Sequence, residues 1–203
     1  MKIICIGRNY QEHAKELNNP IPSEPIFFLK ADSSLIFDNK PFYYPDFSTD
    51  LQYEVEIVLK INRLGKNIAV EFANRYYDEI GIGIDFTARD LQNKCKAKGL
   101  PWAVAKAFDG AAPIGEFVPK SKFEDMQNIN FHLDIDGKRV QTGNTKDMIF
   151  SFDFLISYLS QFMTLKIGDL IYTGTPEGVG QVKIGNRLEA CIENEKLLDF
   201  MVK

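Results

Sequence analysis

The sequence predicts an α+β fold, mainly β, in which a few helices decorate a strand-built core. Three observations lead there. In Tyr53-Glu54-Val55-Glu56-Ile57-Val58-Leu59-Lys60-Ile61, the alternate positions Tyr53, Val55, Ile57, Leu59 and Ile61 are all apolar, the pattern of a strand face packed on a core. Short strands recur toward the C-terminus, with Asp136-Gly137 as the turn of a hairpin between residues 131–135 and 138–141. Helical periodicity is confined to short, separate stretches. At 203 residues and 45% hydrophobic content the chain can bury a sizeable core, and its length favours one domain, 1–203.

In chain order, Ile3-Ile4-Cys5-Ile6 reads as a short buried strand broken by Gly7-Arg8-Asn9. Residues 10–17 then form a short helix, stopped by Asn18, Asn19, Pro20 and Pro22. Ile26-Phe27-Phe28-Leu29 is the next strand, set among turn residues. Beyond the 53–61 strand, 70–80 suits a helix, and Gly81-Ile82-Gly83-Ile84-Asp85-Phe86 a strand whose glycines admit another backbone or a ligand. Thr87 with Asp90 resembles a capping box, opening a helix that runs to about Lys98 and stops at Gly99. Ser151 caps a further helix with Phe152, Leu155, Ile156, Leu159, Phe162 and Met163 on its inner side. Residues 170–173 and 187–202 complete a strand-rich C-terminal half.

Composition removes several classes of function. A charged fraction of 26% with a net charge of -4 has no basic excess, so neither nucleic acid nor an anionic membrane is an expected partner. Cys5, Cys95 and Cys191 are odd in number and lack C-x-x-C spacing, which argues against a disulfide framework or cysteine zinc site and fits a reducing cytoplasm. The apolar run at the N-terminus is too short for a signal peptide, and no stretch approaches the roughly 18 apolar residues of a membrane span. With two histidines, a His-rich zinc or copper centre cannot be assembled.

Carboxylates remain as candidate ligands. Glu54 and Glu56, at i and i+2 on a strand, leave the same face and can converge on one hard ion such as Mg²⁺ or Mn²⁺; a solvated strand face is the plainer alternative. Asp85 ends a strand where a helix begins, either as a third ligand or as a local turn contact. His13 and Glu16, at i and i+3, are either a base with its orienting carboxylate or a surface pair on a short polar helix. Lys106, alone among small and apolar neighbours, must snorkel outward, the commoner outcome, or find an anion. Arg89 and Gln92 share a helix face, as surface residues or as a clamp on a substrate. His132 alternates with Phe131 and Leu133 and is expected on a solvated face. The glycines of 174–180 lack the Gly-Lys-Ser/Thr of a nucleotide loop, Gly81-Ile82-Gly83 lacks the third glycine of a dinucleotide site, and Asp134-Ile135-Asp136-Gly137 lacks a full calcium loop.

Taken in order, Gly7-Arg8-Asn9-Tyr10 with His13 and Glu16, Phe28-Leu29-Lys30, Tyr53-Glu54-Val55-Glu56, Asp85 through Gln92, Lys98-Gly99-Leu100-Pro101-Trp102, Ala105-Lys106, Met148-Ile149-Phe150-Ser151 and Thr173 through Gly180 resemble the fumarylacetoacetate hydrolase superfamily, in its short acylpyruvase and oxaloacetate decarboxylase branch. The resemblance runs from end to end. It implies a mixed β-roll or sandwich with peripheral helices and a short N-terminal lid helix, a homodimer, and a small 2-oxo or dioxo acid as substrate. It implies Glu54, Glu56 and Asp85 as ligands of Mg²⁺ or Mn²⁺, His13 and Glu16 as a lid-borne catalytic dyad, Lys106 as a further catalytic residue, and Arg8, Lys30, Arg89, Gln92 and Thr175 as substrate contacts. The activity it implies is hydrolysis of acylpyruvates to pyruvate and a carboxylate. Oxaloacetate decarboxylation or tautomerisation on the same site is the alternative, and a catalytically silent metal- or ligand-binding module a second one, against which the presence of the dyad speaks. Ala31 and Gln181 stand where relatives usually carry proline, and the 18–24 connector is short.

Overall fold

The structure, a computed structural model, describes residues 1–16 and 20–203, so the expected helix end at Leu17, its Asn18-Asn19 stop and the start of the connector lie outside the described residues. The strands are β1 (Ile3–Gly7), β2 (Ile26–Lys30), β3 (Leu35–Ile36), β4 (Leu51–Tyr53), β5 (Val55–Ile61), β6 (Tyr77–Ile84), β7 (Thr87–Ala88), β8 (Ala112–Pro113), β9 (Val118–Pro119), β10 (Asn130–Ile135), β11 (Lys138–Asn144), β12 (Leu170–Tyr172), β13 (Gly180–Gln181), β14 (Arg187–Ile192) and β15 (Glu195–Met201). The α-helices are α1 (Gln11–Glu16), α2 (Arg89–Lys98), α3 (Ala103–Lys106) and α4 (Phe152–Phe162).

Strand order in the larger sheet is β2-β1-β12-β5-β6-β9, and in the second β11-β10-β14-β15. The first is antiparallel apart from the β1–β12 pair, and the second is antiparallel throughout. One buried cluster joins Val55, Ile57 and Leu59 of β5 and Ile80, Ile82 and Ile84 of β6 to Phe131 and Leu133 of β10 and Leu188 and Ala190 of β14, so the two sheets share a core. Val58, with Ile3, Cys5, Leu170 and Tyr172, forms a smaller cluster on the other face. β5 is therefore buried on both sides, which explains its nearly continuous apolar run beyond the alternation that marks it as a strand. Gly83 is where β6 is crowded: a Cβ there would come within 2.7 Å of the Tyr172 ring and 2.9 Å of the Pro113 carbonyl.

Four local expectations are corrected. The 53–61 strand is interrupted at Glu54, because β4 pairs with β7 and β13 whereas β5 pairs with β6 and β12. Residues 70–80 are not a helix: a 3₁₀ segment, Val70–Arg75, gives way to β6, whose residues from Tyr77 on register with β5, and sheet pairing overrides the local pattern. Thr87 does not cap α2 but pairs with Gln52 in β7, while Asp90 accepts from the Ser48 hydroxyl at 2.7 Å and the Thr49 amide at 3.1 Å. Phe162 is 56% exposed and packs on Phe27 instead of joining the inner face of α4. The Gly99 stop (φ 63°) and the Ser151 cap are as expected, with Ser151 Oγ accepting from the Phe154 amide. Among the described residues no helix is long and apolar enough to cross a membrane.

Candidate active site

The strand break creates the site. Glu54 occupies the joint between β4 and β5, and Glu56 follows two residues later on the same face of β5. The β5–β6 register sets Val55 opposite Ile84 and Glu56 opposite Gly83. Asp85 therefore leaves the end of β6 beside Glu54, and its amide donates to the Glu54 carbonyl at 2.8 Å. The result is a buried cluster in which one carboxylate oxygen from each of Glu54, Glu56 and Asp85 lies within 4.8 Å of the others.

Three cations converge on these acids. Lys106, from the last turn of α3, places Nζ 2.8 Å from both Glu54 Oε2 and Asp85 Oδ2; it finds anions and does not snorkel. Lys30, at the end of β2, lies 2.8 Å from Asp85 Oδ1 and also donates to the Phe86 and Lys106 carbonyls. Arg89 opens α2 and spreads its guanidinium over Gln52 Oε1 (2.8 Å), Gln92 Oε1 (2.7 Å) and Glu54 Oε1 (2.5 Å), so Arg89 and Gln92 face inward. Burial opposes ionisation of Glu54, but Lys106 and then Arg89 outweigh it and hold its carboxyl below the usual range. Burial likewise disfavours the Lys106 ammonium, and Asp85 and Glu54 more than restore it.

Glu56 differs. It forms no ion pair among the described residues; one oxygen accepts the Gly174 amide at 2.7 Å. Burial, then Asp85 and then Glu54 push its carboxyl well above the usual range. Three buried carboxylates, one of them without a cationic partner among the described residues, form an all-oxygen donor set that fits a hard divalent ion.

The other wall comes from α1 and the loop after β12. Asn9 follows β1 and clamps the loop, donating from Nδ2 to the Thr173 and Phe150 carbonyls at 2.8 and 3.0 Å. Gly174 (φ 102°) turns there, with no room for a side chain against Asn9. The loop then presents the Gly178 amide to Glu16, at 3.1 Å, and Glu16 in turn stands 3.3 Å from His13 Nδ1. His13 is buried, and that burial lowers its pKa despite Glu54 and Glu16, leaving a neutral imidazole at neutral pH. Glu54, Glu56, Asp85, Arg8, His13, Arg89, Gln92, Lys106 and Thr175 line one cavity. Lys30 lies behind it, its ammonium bonded to the walls.

Two residues outside the sequence-derived set belong here. Gln141 of β11 donates to Thr175 Oγ1 and the Pro176 carbonyl and accepts the Val55 amide, so the second sheet braces the first at the strand break. No local pattern marks it. Lys96 lines the cavity from α2, and its spacing from Arg89 and Gln92, seven and four residues, would have placed it on their face. His132 is remote, facing Asp134 at 3.8 Å.

A cavity floored by oxygen donors for a hard cation and walled by an ammonium and a histidine with a glutamate behind it has the form of an enzyme site for small anionic substrates. The chain belongs to the fumarylacetoacetate hydrolase family: the model for the fumarylacetoacetate (FAA) hydrolase C-terminal region matches residues 2–200. It is 45% identical over its full length to oxaloacetate tautomerase FAHD1, mitochondrial, of Arabidopsis thaliana, covering 91% of that protein. It is 46% identical, over 94% of this chain and 88% of the other, to oxaloacetate decarboxylase, mitochondrial, of Dictyostelium discoideum. The crystal structure of fumarylpyruvate hydrolase from Pseudomonas aeruginosa in complex with Mn²⁺ and pyruvate superposes with a TM-score of 0.94 at 35% identity, covering all of this chain and 89% of that one. The family expected from the motifs, and its strand-dominated fold, are thus the ones found.

Proposed function

We propose that this chain is a Mg²⁺- or Mn²⁺-dependent oxaloacetate tautomerase, with 1–203 as one catalytic domain. The observation that carries it is the presence in one cavity of a neutral base, His13 with Glu16 behind it, and a held ammonium, Lys106, beside the acid triad. Glu54, Glu56 and Asp85 would hold the ion, which when bound supplies Lewis acidity toward the carboxylate and 2-oxo oxygens of the substrate. His13 exchanges a proton with C3 of oxaloacetate, and Glu16 orients the imidazole and offsets its charge while the proton resides there. Lys106 donates to the developing enol oxygen, and Arg89, Gln92, Thr175 and Arg8 orient the substrate. Interconversion of enol and keto forms needs only this proton movement, with no attacking water.

The Arabidopsis relative's name, oxaloacetate tautomerase, favours this reading, and the Dictyostelium relative's name, oxaloacetate decarboxylase, favours the same substrate by loss of CO₂; both weigh against acylpyruvate hydrolysis, the first expectation from the motifs. Hydrolysis is the second reading, favoured by the likeness to fumarylpyruvate hydrolase; it requires His13 to activate a water against the distal carbonyl. The test is to follow enol absorbance with Mg²⁺ or Mn²⁺ and to assay pyruvate from oxaloacetate, acetylpyruvate and fumarylpyruvate. Faster enol loss without pyruvate supports tautomerisation. Cleavage of a dioxo acid with enol decay at the spontaneous rate overturns it. We take the protein to be cytoplasmic, on its free thiols; the mitochondrial designation belongs to the relatives. We also take it to be a homodimer without nucleic-acid or membrane partners, a second copy covering the apolar face of Phe47, Leu91, Val104 and Phe108, which sedimentation tests.

A further inference from the structure

Among the described residues, two cations of the cavity have no ion-pair partner. Lys30, Arg89 and Lys106 are each paired with the acid triad, whereas Arg8 and Lys96 line the same cavity and form no ion pair among the described residues. Both are half-buried, unlike the fully buried triad, which places them toward its outer part. Lys96 Nζ rests 5.5 Å over the Trp102 ring, itself a wall residue, so the ammonium is held at one side. Arg8 has φ 60°, a left-handed backbone that a residue with a side chain adopts at a cost, and such strain concentrates where a side chain's placement matters.

Charge decides what these two groups face. The three buried carboxylates equal Lys30, Arg89 and Lys106 in number, so a divalent ion together with Arg8 and Lys96 leaves a positive surplus that Glu16, beside His13, only partly offsets. A monocarboxylate offsets one charge of that surplus, a dicarboxylate two. Burial, with Arg89 and Arg8 nearby, already disfavours the charged form of Lys96, the condition of a cation that an incoming anion would relieve.

We propose that Arg8 and Lys96 bind the distal carboxylate of a dicarboxylic 2-oxo acid and so select dicarboxylates over the corresponding monocarboxylates. The proposal rests on the reading above, in which the triad end of the cavity takes the carboxylate and 2-oxo oxygens. The plain alternative for Lys96 is a helix C-terminal charge on α2, which has no bearing on ligand choice.

Calorimetric titration of the Mn²⁺-loaded protein with malate and with lactate separates the two, because these ligands share a 2-hydroxycarboxylate head and differ in the distal carboxylate. Malate is expected to bind about 10- to 100-fold more tightly, the contribution of one charge-assisted hydrogen bond. Lys96→Met and Arg8→Gly should each bring that ratio toward one, and the glycine suits the left-handed backbone, so lost selectivity there is not lost folding. Equal affinities in the unaltered protein, no binding of either ligand, or a ratio that survives both substitutions overturns the proposal. Selectivity that the variants erase, in a protein that leaves enol-oxaloacetate unchanged, upholds it while overturning the proposed reaction.

Discussion

Gln141 donates from Nε2 to the Thr175 hydroxyl at 2.9 Å. Its other end accepts the Val55 amide, also at 2.9 Å, so one buried side chain ties the joint that projects Glu54 to the loop that carries Thr175. Because Thr175 Oγ1 accepts from Gln141, its own proton is left for an acceptor in the cavity. Gln141→Leu strands the Val55 N–H in a dry interior, a loss of about 1–3 kcal/mol. Urea denaturation should show a lower midpoint at unchanged slope. Turnover should fall as well, and the Gln141→Leu/Thr175→Val double variant should lose less than the two single losses combined; additive losses would mean that the residues act independently.

Lys106 stands between Glu54 and Asp85 where a cation is required. Lys106→Met leaves these carboxylates short of one positive charge, and breaking a buried pair of this kind costs about 3–5 kcal/mol. In chelator the variant should melt well below the unaltered protein. Added Mn²⁺ should raise its melting temperature by more than it raises that of the unaltered protein, since the ion then has one fewer charge to oppose it. Turnover should be lost even so. Equal Mn²⁺ shifts in the two proteins would show that Lys106 and the ion do not share the site's electrostatics.

Glu56→Gln separates metal binding from folding more cleanly than a change at Asp85, because Asp85 also anchors Lys30 and Lys106 whereas Glu56 has no cationic partner among the described residues. The amide oxygen can keep the Gly174 bond, and repulsion from Asp85 and Glu54 is relieved. Melting in chelator should therefore be unchanged or higher, while Mn²⁺ affinity measured by titration falls at least tenfold and turnover with it. Exhaustive chelation of the unaltered protein should abolish turnover, and Mn²⁺ or Mg²⁺ should restore it; a Glu56→Gln protein that binds Mn²⁺ normally would remove Glu56 from the ligand set.

What was legible in the sequence is what local spacing determines. The alternation of β5, the Gly99 stop, the Ser151 cap and the 136–137 hairpin each depend on a few neighbouring residues, and each stands in the fold. The same-face relation of Glu54 and Glu56 is likewise a property of strand period. What was not legible depends on distant partners. The break at Glu54 is held by Gln141 from the other sheet, and β6 starts at Tyr77 because β5 lies beside it. Lys106 had two open outcomes because its neighbours in sequence are small and apolar; only folding supplies Glu54 and Asp85. Lys96 is the opposite case, a residue whose helical spacing from Arg89 and Gln92 was available.

His13 makes the pH dependence specific. Burial lowers its pKa below the ordinary 6.5, against the opposing influence of Glu54 and Glu16, so the folded protein resists the proton that an unfolded chain accepts. Above pH 6.5 both states are neutral at this position and His13 adds no pH dependence to stability. As pH falls below 6.5 the unfolded state gains the proton first, and stability declines until the folded pKa is passed. With His13 as the proposed base, which must be neutral to act, activity should follow the folded pKa: turnover should persist below pH 6.5 and then drop with unit slope. His13→Gln, compared over pH 5 to 8, should lose most of its turnover together with that acid limb, and its denaturation midpoint should fall less on acidification. An acid limb retained at the same pH in His13→Gln would assign the titrating base to another group.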